Sequence, residues 1–184
     1  GSGCNIQTHY NGQSVSTKVI DPRNLSTTYT VNGLGDRTKS VSPDTGTTDY
    51  TFDSAGNVKT RKDARGYITT YSYDALNRLT QILYHDQSRA DFTWDTGTYM
   101  NGRLYSMVDG AAATYWGYDQ LGRQTAKIQA SLLNGVQVAF GITRHYDDGP
   151  GGGRLARIFY PTGRILEYSY DAAGRVSALS FNGL

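Results

Sequence analysis

The sequence predicts an all-β protein, an antiparallel meander of repeated hairpins that forms a curled or spiral sheet. Three observations carry this. A short aromatic phrase ending in a turn returns at near-fixed spacing. A second series of turn residues falls between its copies. No stretch shows sustained helical periodicity.

The phrase reads Tyr50-Thr-Phe52-Asp53-Ser-Ala-Gly56-Asn57-Val58, then Tyr71-Ser-Tyr73-Asp74-Ala-Leu-Asn77-Arg78-Leu79. It returns as Trp116-Gly-Tyr118-Asp119-Gln-Leu-Gly122-Arg123 and Tyr168-Ser-Tyr170-Asp171-Ala-Ala-Gly174-Arg175-Val176. The acid or amide falls at Asn11, Asn32, Asp53, Asp74, Asp95, Asp119, Asp147 and Asp171, with gaps of 21, 21, 21, 21, 24, 28 and 24 residues. A repeat at such a period means a stacked or meandering array.

Each part of the phrase has a local reason. Aromatics two apart, such as Tyr71 and Tyr73, share one strand face. They suit a pleated, half-buried surface. The turn-opening Asp accepts hydrogen bonds from amides two residues on. Three residues later a positive φ is needed. Gly56, Gly122 and Gly174 supply it without strain, and Asn77 tolerates it. The expected product is a type I turn with a bulge. An Arg and an aliphatic residue then open the return strand.

The second series comprises Asp21-Pro-Arg-Asn24, Ser42-Pro-Asp-Thr-Gly46, Asp63-Ala-Arg-Gly66, Asp109-Gly110, Asn134-Gly135 and Tyr160-Pro-Thr-Gly163. Turns therefore alternate at intervals of 10 or 11 residues in the first half. Strands of roughly six to eight residues fill the gaps, rich in Thr, Tyr, Val and Ile. Ala111 to Ala113 is too short to nucleate a helix. The copy at Asp95 is expanded, with its Gly-Arg-Leu at Gly102-Arg103-Leu104. The copy at Asp147 has grown through the segment up to Gly153. Both are longer loops at array positions, not linkers. About sixteen strands at roughly 4.8 Å spacing give a sheet about 75 Å wide. Strand twist accumulates over such a width, so the sheet curls.

The 184 residues carry a net charge of +2 with 18% charged residues. That charge content is low for a soluble domain, while Thr, Tyr and Gly are heavily used. The composition fits a secreted or surface array. Acids and bases are interspersed, so there is no basic stripe for nucleic acid. No apolar run of 18 residues predicts a membrane span. Cys4 is the single cysteine and cannot form an intrachain disulfide. Gly1-Ser2-Gly3 reads as a cloning scar. Residues 4–184 read as a single β-domain with about seven repeat units.

The phrase Tyr-x-Tyr/Phe-Asp-x-x-Gly-Arg-Leu/Val resembles the YD repeats of the Rhs family. That family is shared with the C components of bacterial Tc toxins and with teneurins. Good copies stand at Tyr50, Tyr71, Trp116 and Tyr168, with degenerate ones at Tyr29, Phe92 and Arg144 and a remnant at Tyr10. The resemblance implies a β-sheet that spirals into a hollow shell, enclosing a toxic C-terminal domain or, in teneurins, forming an extracellular scaffold. This chain is far shorter than a complete shell. It ends at Phe181-Asn-Gly-Leu184, without the Asp-Pro-x-Gly self-cleavage motif. No protease residue is carried over. What the resemblance implies is a non-catalytic scaffold: a shell segment of a larger exported bacterial polypeptide. Its partners are other repeat segments or the enclosed effector domain.

The residues offer little for chemistry. His9, His85 and His145 have no second histidine or cysteine at metal-ligand spacing. Gly149-Pro-Gly-Gly-Gly153 lacks the Gly-Lys-Ser/Thr of a phosphate loop. Asp147 and Asp148 form one adjacent pair, not a regular calcium loop. Asp53, Asp74, Asp119 and Asp171 are explained by their turns, so no paired catalytic carboxylates emerge. The sequence assigns no catalytic residue, cofactor or metal. One binding alternative remains. Trp94, Trp116, Tyr118, Tyr71 and Tyr73 occupy equivalent repeat positions and form a ladder on one face. Exposed, the ladder would stack on sugars of a glycan or cell surface. Turned inward, it would pack as core. Unpaired sheet edges add the expectation of self-association.

Overall fold

The computed structural model of the chain describes residues 5–133, 136–147 and 153–183. Gly1 to Cys4, Asn134, Gly135, Asp148, most of the glycine-rich segment and Leu184 lie outside the described residues. Sixteen strands follow one another, and their order in the sheet is chain order. No helix occurs among the described residues.

Two compact units divide the chain, Gly1–Arg89 and Ala90–Leu184. The first contains β1 (Gln7–Tyr10), β2 (Ser16–Ile20), β3 (Ser26–Val31), β4 (Arg37–Ser42), β5 (Gly46–Phe52), β6 (Val58–Lys62), β7 (Ile68–Tyr73) and β8 (Leu79–Leu83). Successive strands pair antiparallel throughout it. The second contains β9 (Arg89–Trp94), β10 (Leu104–Asp109), β11 (Ala112–Tyr118), β12 (Gln124–Leu133), β13 (Val136–Tyr146), β14 (Leu155–Phe159), β15 (Ile165–Tyr170) and β16 (Val176–Asn182). It is also an antiparallel meander.

The repeat turns take the form that their residues dictate. In the copy at Asp53 the Asp53 amide donates to the Asn57 carbonyl (2.9 Å), and Gly56 N–H returns to the Asp53 carbonyl (3.2 Å). Gly56 has φ 86°. The same pair of bonds closes the turns at Asp74, Asp119 and Asp171, with Asn77 at φ 60° and Gly122 and Gly174 at 80°. The expanded copies keep the frame. Asp95 N–H donates to the Arg103 carbonyl and Asp147 N–H to the Arg154 carbonyl. The insertions therefore leave Trp94 opposite Leu104 and Tyr146 opposite Leu155.

Beyond the bulged turn that the sequence predicts, the return strand carries a second bulge, which was not legible in the sequence. Phe52 faces Val58, but Thr51 faces Thr60, so Lys59 is the extra residue. The register slips identically after Tyr73–Leu79, Tyr118–Gln124 and Tyr170–Val176. Such a bulge bends the strand and increases its local twist. One turn of the second series was also missed. Tyr84 N–H donates to the Ser88 carbonyl and Gln87 sits at φ 68°. Neither a turn-opening Asp nor a Gly announces it.

Burial is shallow. Among the described residues the buried apolar ones are Ala90, Met100 and Ala130, and the buried polar ones Ser106 and Thr114. No large side chain is fully buried. Most strand residues are half-buried, as expected of a sheet held by cross-strand pairs, not by a thick core.

Candidate functional site

The five aromatics proposed as a ladder sit where the repeat puts them. In the first unit Tyr71 and Tyr73 lie two apart on β7, opposite Ile82 and Leu79. In the second, Trp94 ends β9 opposite Leu104. Trp116 and Tyr118 lie two apart on β11, opposite Lys127 and Gln124. All five are half-buried. Each ring packs partly into the sheet and keeps part of its surface in water.

The hydroxyls of the tyrosines just before the turn Asp tie one repeat to the previous one. Tyr73 donates to the Val58 carbonyl (3.0 Å), Tyr146 to that of Gln124 (3.0 Å) and Tyr170 to that of Leu155 (2.7 Å). The acceptor each time is the first residue of the preceding return strand. A donor committed to backbone is not offered to a ligand, so this contact is structural at Tyr73.

The arginine after the turn makes a second tie. The guanidinium of Arg103 lies 5.6 Å from the ring centre of Tyr118, that of Arg123 4.4 Å from Tyr146, and that of Arg154 5.4 Å from Tyr170. Each cation sits over the aromatic of the following repeat, an attraction worth about 0.5–1 kcal/mol when exposed. The same arginines crowd that repeat's turn glycine. A Cβ on Gly122 would run into the Arg103 guanidinium, one on Gly174 would stand 2.5 Å from Arg154 Nη2, and one on Gly153 3.0 Å from Arg123 Nη1. At two corresponding positions of the first unit the chemistry is different. Asn57 Nδ2 donates to Asn77 Oδ1 (2.9 Å), and Val15 Cγ2 lies 3.8 Å from where a Gly35 Cβ would be. The sequence showed the arginine and the glycine, but not that they belong to a contact between successive repeats. Their constant adjacency in the phrase was the available signal.

The turn carboxylates are committed. Asp74 Oδ1 accepts from the amides of Leu76 and Arg78, and its Oδ2 pairs with Arg78 Nε at 2.7 Å. The Arg78 amide, then its guanidinium, hold the Asp74 carboxyl below its ordinary value. For Asp171 the Arg175 amide leads, followed by the Arg175 side chain. For Asp53 the Asn57 side-chain amide leads. At Asp119 burial pulls upward but is outweighed by the Arg123 amide and guanidinium, so the net direction is again down. Such groups stay ionised near neutrality and act as fixed acceptors for backbone N–H groups.

The histidines are dispersed. His9 pairs with Lys18 across β1 and β2, and His145 with Arg157 across β13 and β14. His85 stacks on Tyr67 with ring centres 3.8 Å apart and planes 8° from parallel. Arg65 lies 4.6 Å over the Tyr67 ring. No group of three or more His, Cys, Asp or Glu that could hold a metal ion occurs among the described residues.

Comparison with known proteins accords with this geometry. The family model for the RHS repeat matches residues 52–89 and 151–183. No curated protein matches the chain significantly. Solved structures do. The crystal structure of TcdB2-TccC3 is similar with a TM-score of 0.77 at 16% identity, over 96% of this chain and 10% of that one. The Photorhabdus luminescens Tc holotoxin pore bearing a TccC3 mutation is similar with a TM-score of 0.76, at the same identity and coverage. This chain thus spans about a tenth of the length of the chains it resembles. Over those two segments the sequence thus matches the RHS repeat, and along nearly its whole length the fold of the chain is that of the Tc toxin structures it resembles.

Proposed function

We propose that this chain is a non-catalytic wall: a stretch of curled RHS-repeat shell that encloses or presents an effector domain of a larger exported bacterial polypeptide. The observation that carries this reading is the fold match, 96% of this chain against 10% of a Tc toxin chain. The internal design supports it. Phenol–carbonyl bonds join successive repeats at Tyr73, Tyr146 and Tyr170, and in the second unit arginine–aromatic contacts add to them. The recurring aspartates serve backbone, not substrate. The single domain read from the sequence is in this view one continuous array. Its partners would be neighbouring repeat segments and the enclosed domain, outside the cell or at its surface.

Limited proteolysis of the intact parent polypeptide tests enclosure. The effector domain should resist digestion in the native protein and become sensitive when Arg123→Ala and Arg154→Ala loosen the wall. Equal digestion rates in both proteins would refute enclosure. The aromatic ladder of Tyr71, Tyr73, Trp94, Trp116 and Tyr118 supports a carbohydrate-binding reading only through its partial exposure. Quenching of tryptophan emission by a glycan would favour that second reading.

A further inference from the structure

The longest strands of the molecule are neighbours. β12 has 10 residues and β13 has 11, against 4 to 7 elsewhere. They pair without a register shift from Ala126–Thr143 to Leu133–Val136. The neighbouring strands are shorter. β11 reaches β12 only as far as Ser131, and β14 pairs with β13 only over Thr143–Tyr146. Among the described residues, Val136–Ile142 therefore pair only on the β12 side, and no strand pairs with the other edge.

Among the described residues this edge has no charge, no proline and no bulge. From Ile128 to Thr143 the chain has no Asp, Glu, Lys, Arg, His or Pro. The hairpin has no bulge, unlike the repeat hairpins around it. Leu132, Leu133, Val136 and Phe140 are 72%, 60%, 63% and 59% exposed. Natural edges are blunted by charge, proline, bulges or short length. An open row of backbone donors and acceptors is satisfied by another extended strand, as in strand addition.

We propose that this edge pairs with the same edge of a second copy of the chain, antiparallel about a two-fold axis near Ala139. An isologous contact requires a self-complementary patch. An uncharged strand meets that condition because no like charges face each other across the axis. Leu133, Val136, Val138 and Phe140 share one face by their pairing with β12, and the two-fold would join both rows into one apolar stripe. Only a short strand is paired, so the contact is a reversible one of small area.

Sedimentation velocity of the chain across a hundredfold concentration range should show a monomer–dimer equilibrium. Phe140→Lys should shift it to monomer while leaving the far-ultraviolet circular dichroism unchanged. An equimolar mixture of Phe140→Lys and Phe140→Glu chains should dimerise again. Leu179→Lys on β16 serves as a control and should leave the dimer intact. Should the Phe140 variants misfold, Ala139→Cys in a Cys4→Ser background replaces them. With a mild oxidant it should give a covalent dimer in high yield. A strictly monomeric wild type, a dimer lost in Leu179→Lys but kept in Phe140→Lys, or an uncross-linked Ala139→Cys chain would each overturn the proposal.

Discussion

At the scale of single residues, the repeat turn works through one carboxylate. Asp171 Oδ1 accepts from the amides of Ala173 and Arg175, at 2.9 Å each. Asn performs the same task in the first two copies. Asn11 Oδ1 accepts from Gln13 and Val15, and Asn32 Oδ1 from Leu34 and Asp36. The aspartates differ in being titratable. Asp53, Asp74, Asp119 and Asp171 all have pKa values lowered from the ordinary 3.8. A depressed folded-state pKa gives stability that is complete well above 3.8 and is lost as pH falls through the folded value. The midpoint for urea unfolding should therefore be flat from neutrality to about pH 5 and then fall as pH drops below the ordinary carboxylate range. A midpoint that rises on acidification would contradict the role of these groups. At the phenols, Tyr170→Phe should destabilise by about 1 kcal/mol, the usual worth of a lost hydrogen bond. It removes the donor to Leu155 and leaves the ring in place. Denaturant unfolding of the two proteins measures it.

At the scale of the hairpin, turn glycines with similar φ separate into two kinds. Gly56 has open space around the position of a Cβ, whereas Gly122 and Gly174 face an arginine of the preceding repeat. Left-handed geometry alone costs an L-residue about 1–2 kcal/mol. Gly56→Ala should cost about that, and Gly122→Ala and Gly174→Ala should cost more. The excess at Gly174 should shrink in an Arg154→Ala background, because contacting residues couple by about 0.5–3 kcal/mol. Additivity of the two substitutions would remove the arginine from the explanation. Gly12, outside the set of positive-φ glycines and with nothing near its Cβ position, should tolerate valine far better than Gly122 or Gly174. Thermal melts rank these variants.

At the scale of the molecule, burial is spread thinly over a long meander. Arrays of this kind are stabilised chiefly by interactions between nearest neighbours. Their ends have a neighbour on one side only. Every residue of β1 and β16 is exposed. Hydrogen exchange should therefore be fastest in these two strands and slowest in strands flanked on both sides, such as β11. Uniform protection along the chain would mean that a partner or a second copy covers the ends. The far-ultraviolet circular dichroism should be that of a β protein, and a helix-dominated spectrum would contradict the fold.

The array is legible in the sequence because its signals are local. Asp and Asn open turns by bonding amides in their own loop, and Gly56, Asn77, Gly122 and Gly174 permit the positive φ that closes them. Alternating aromatics such as Tyr71 and Tyr73 mark the strand between. Insertions at Asp95 and Asp147 did not hide the frame, since the turn bonds close around them. Tyr84–Ser88 was missed because Gln87 takes positive φ without being a glycine or an asparagine. The contacts between repeats needed the tertiary structure. Arg103 and Gly122, or Leu155 and Tyr170, are 19 and 15 residues apart, and only strand register decides that they meet. The bulge that offsets each return strand is likewise a property of a pair of strands. So is the open edge of β13, which exists because β14 is shorter than the strand beside it. One strand's sequence specifies its turns and faces. What lies across from it is set by the register and length of its neighbours.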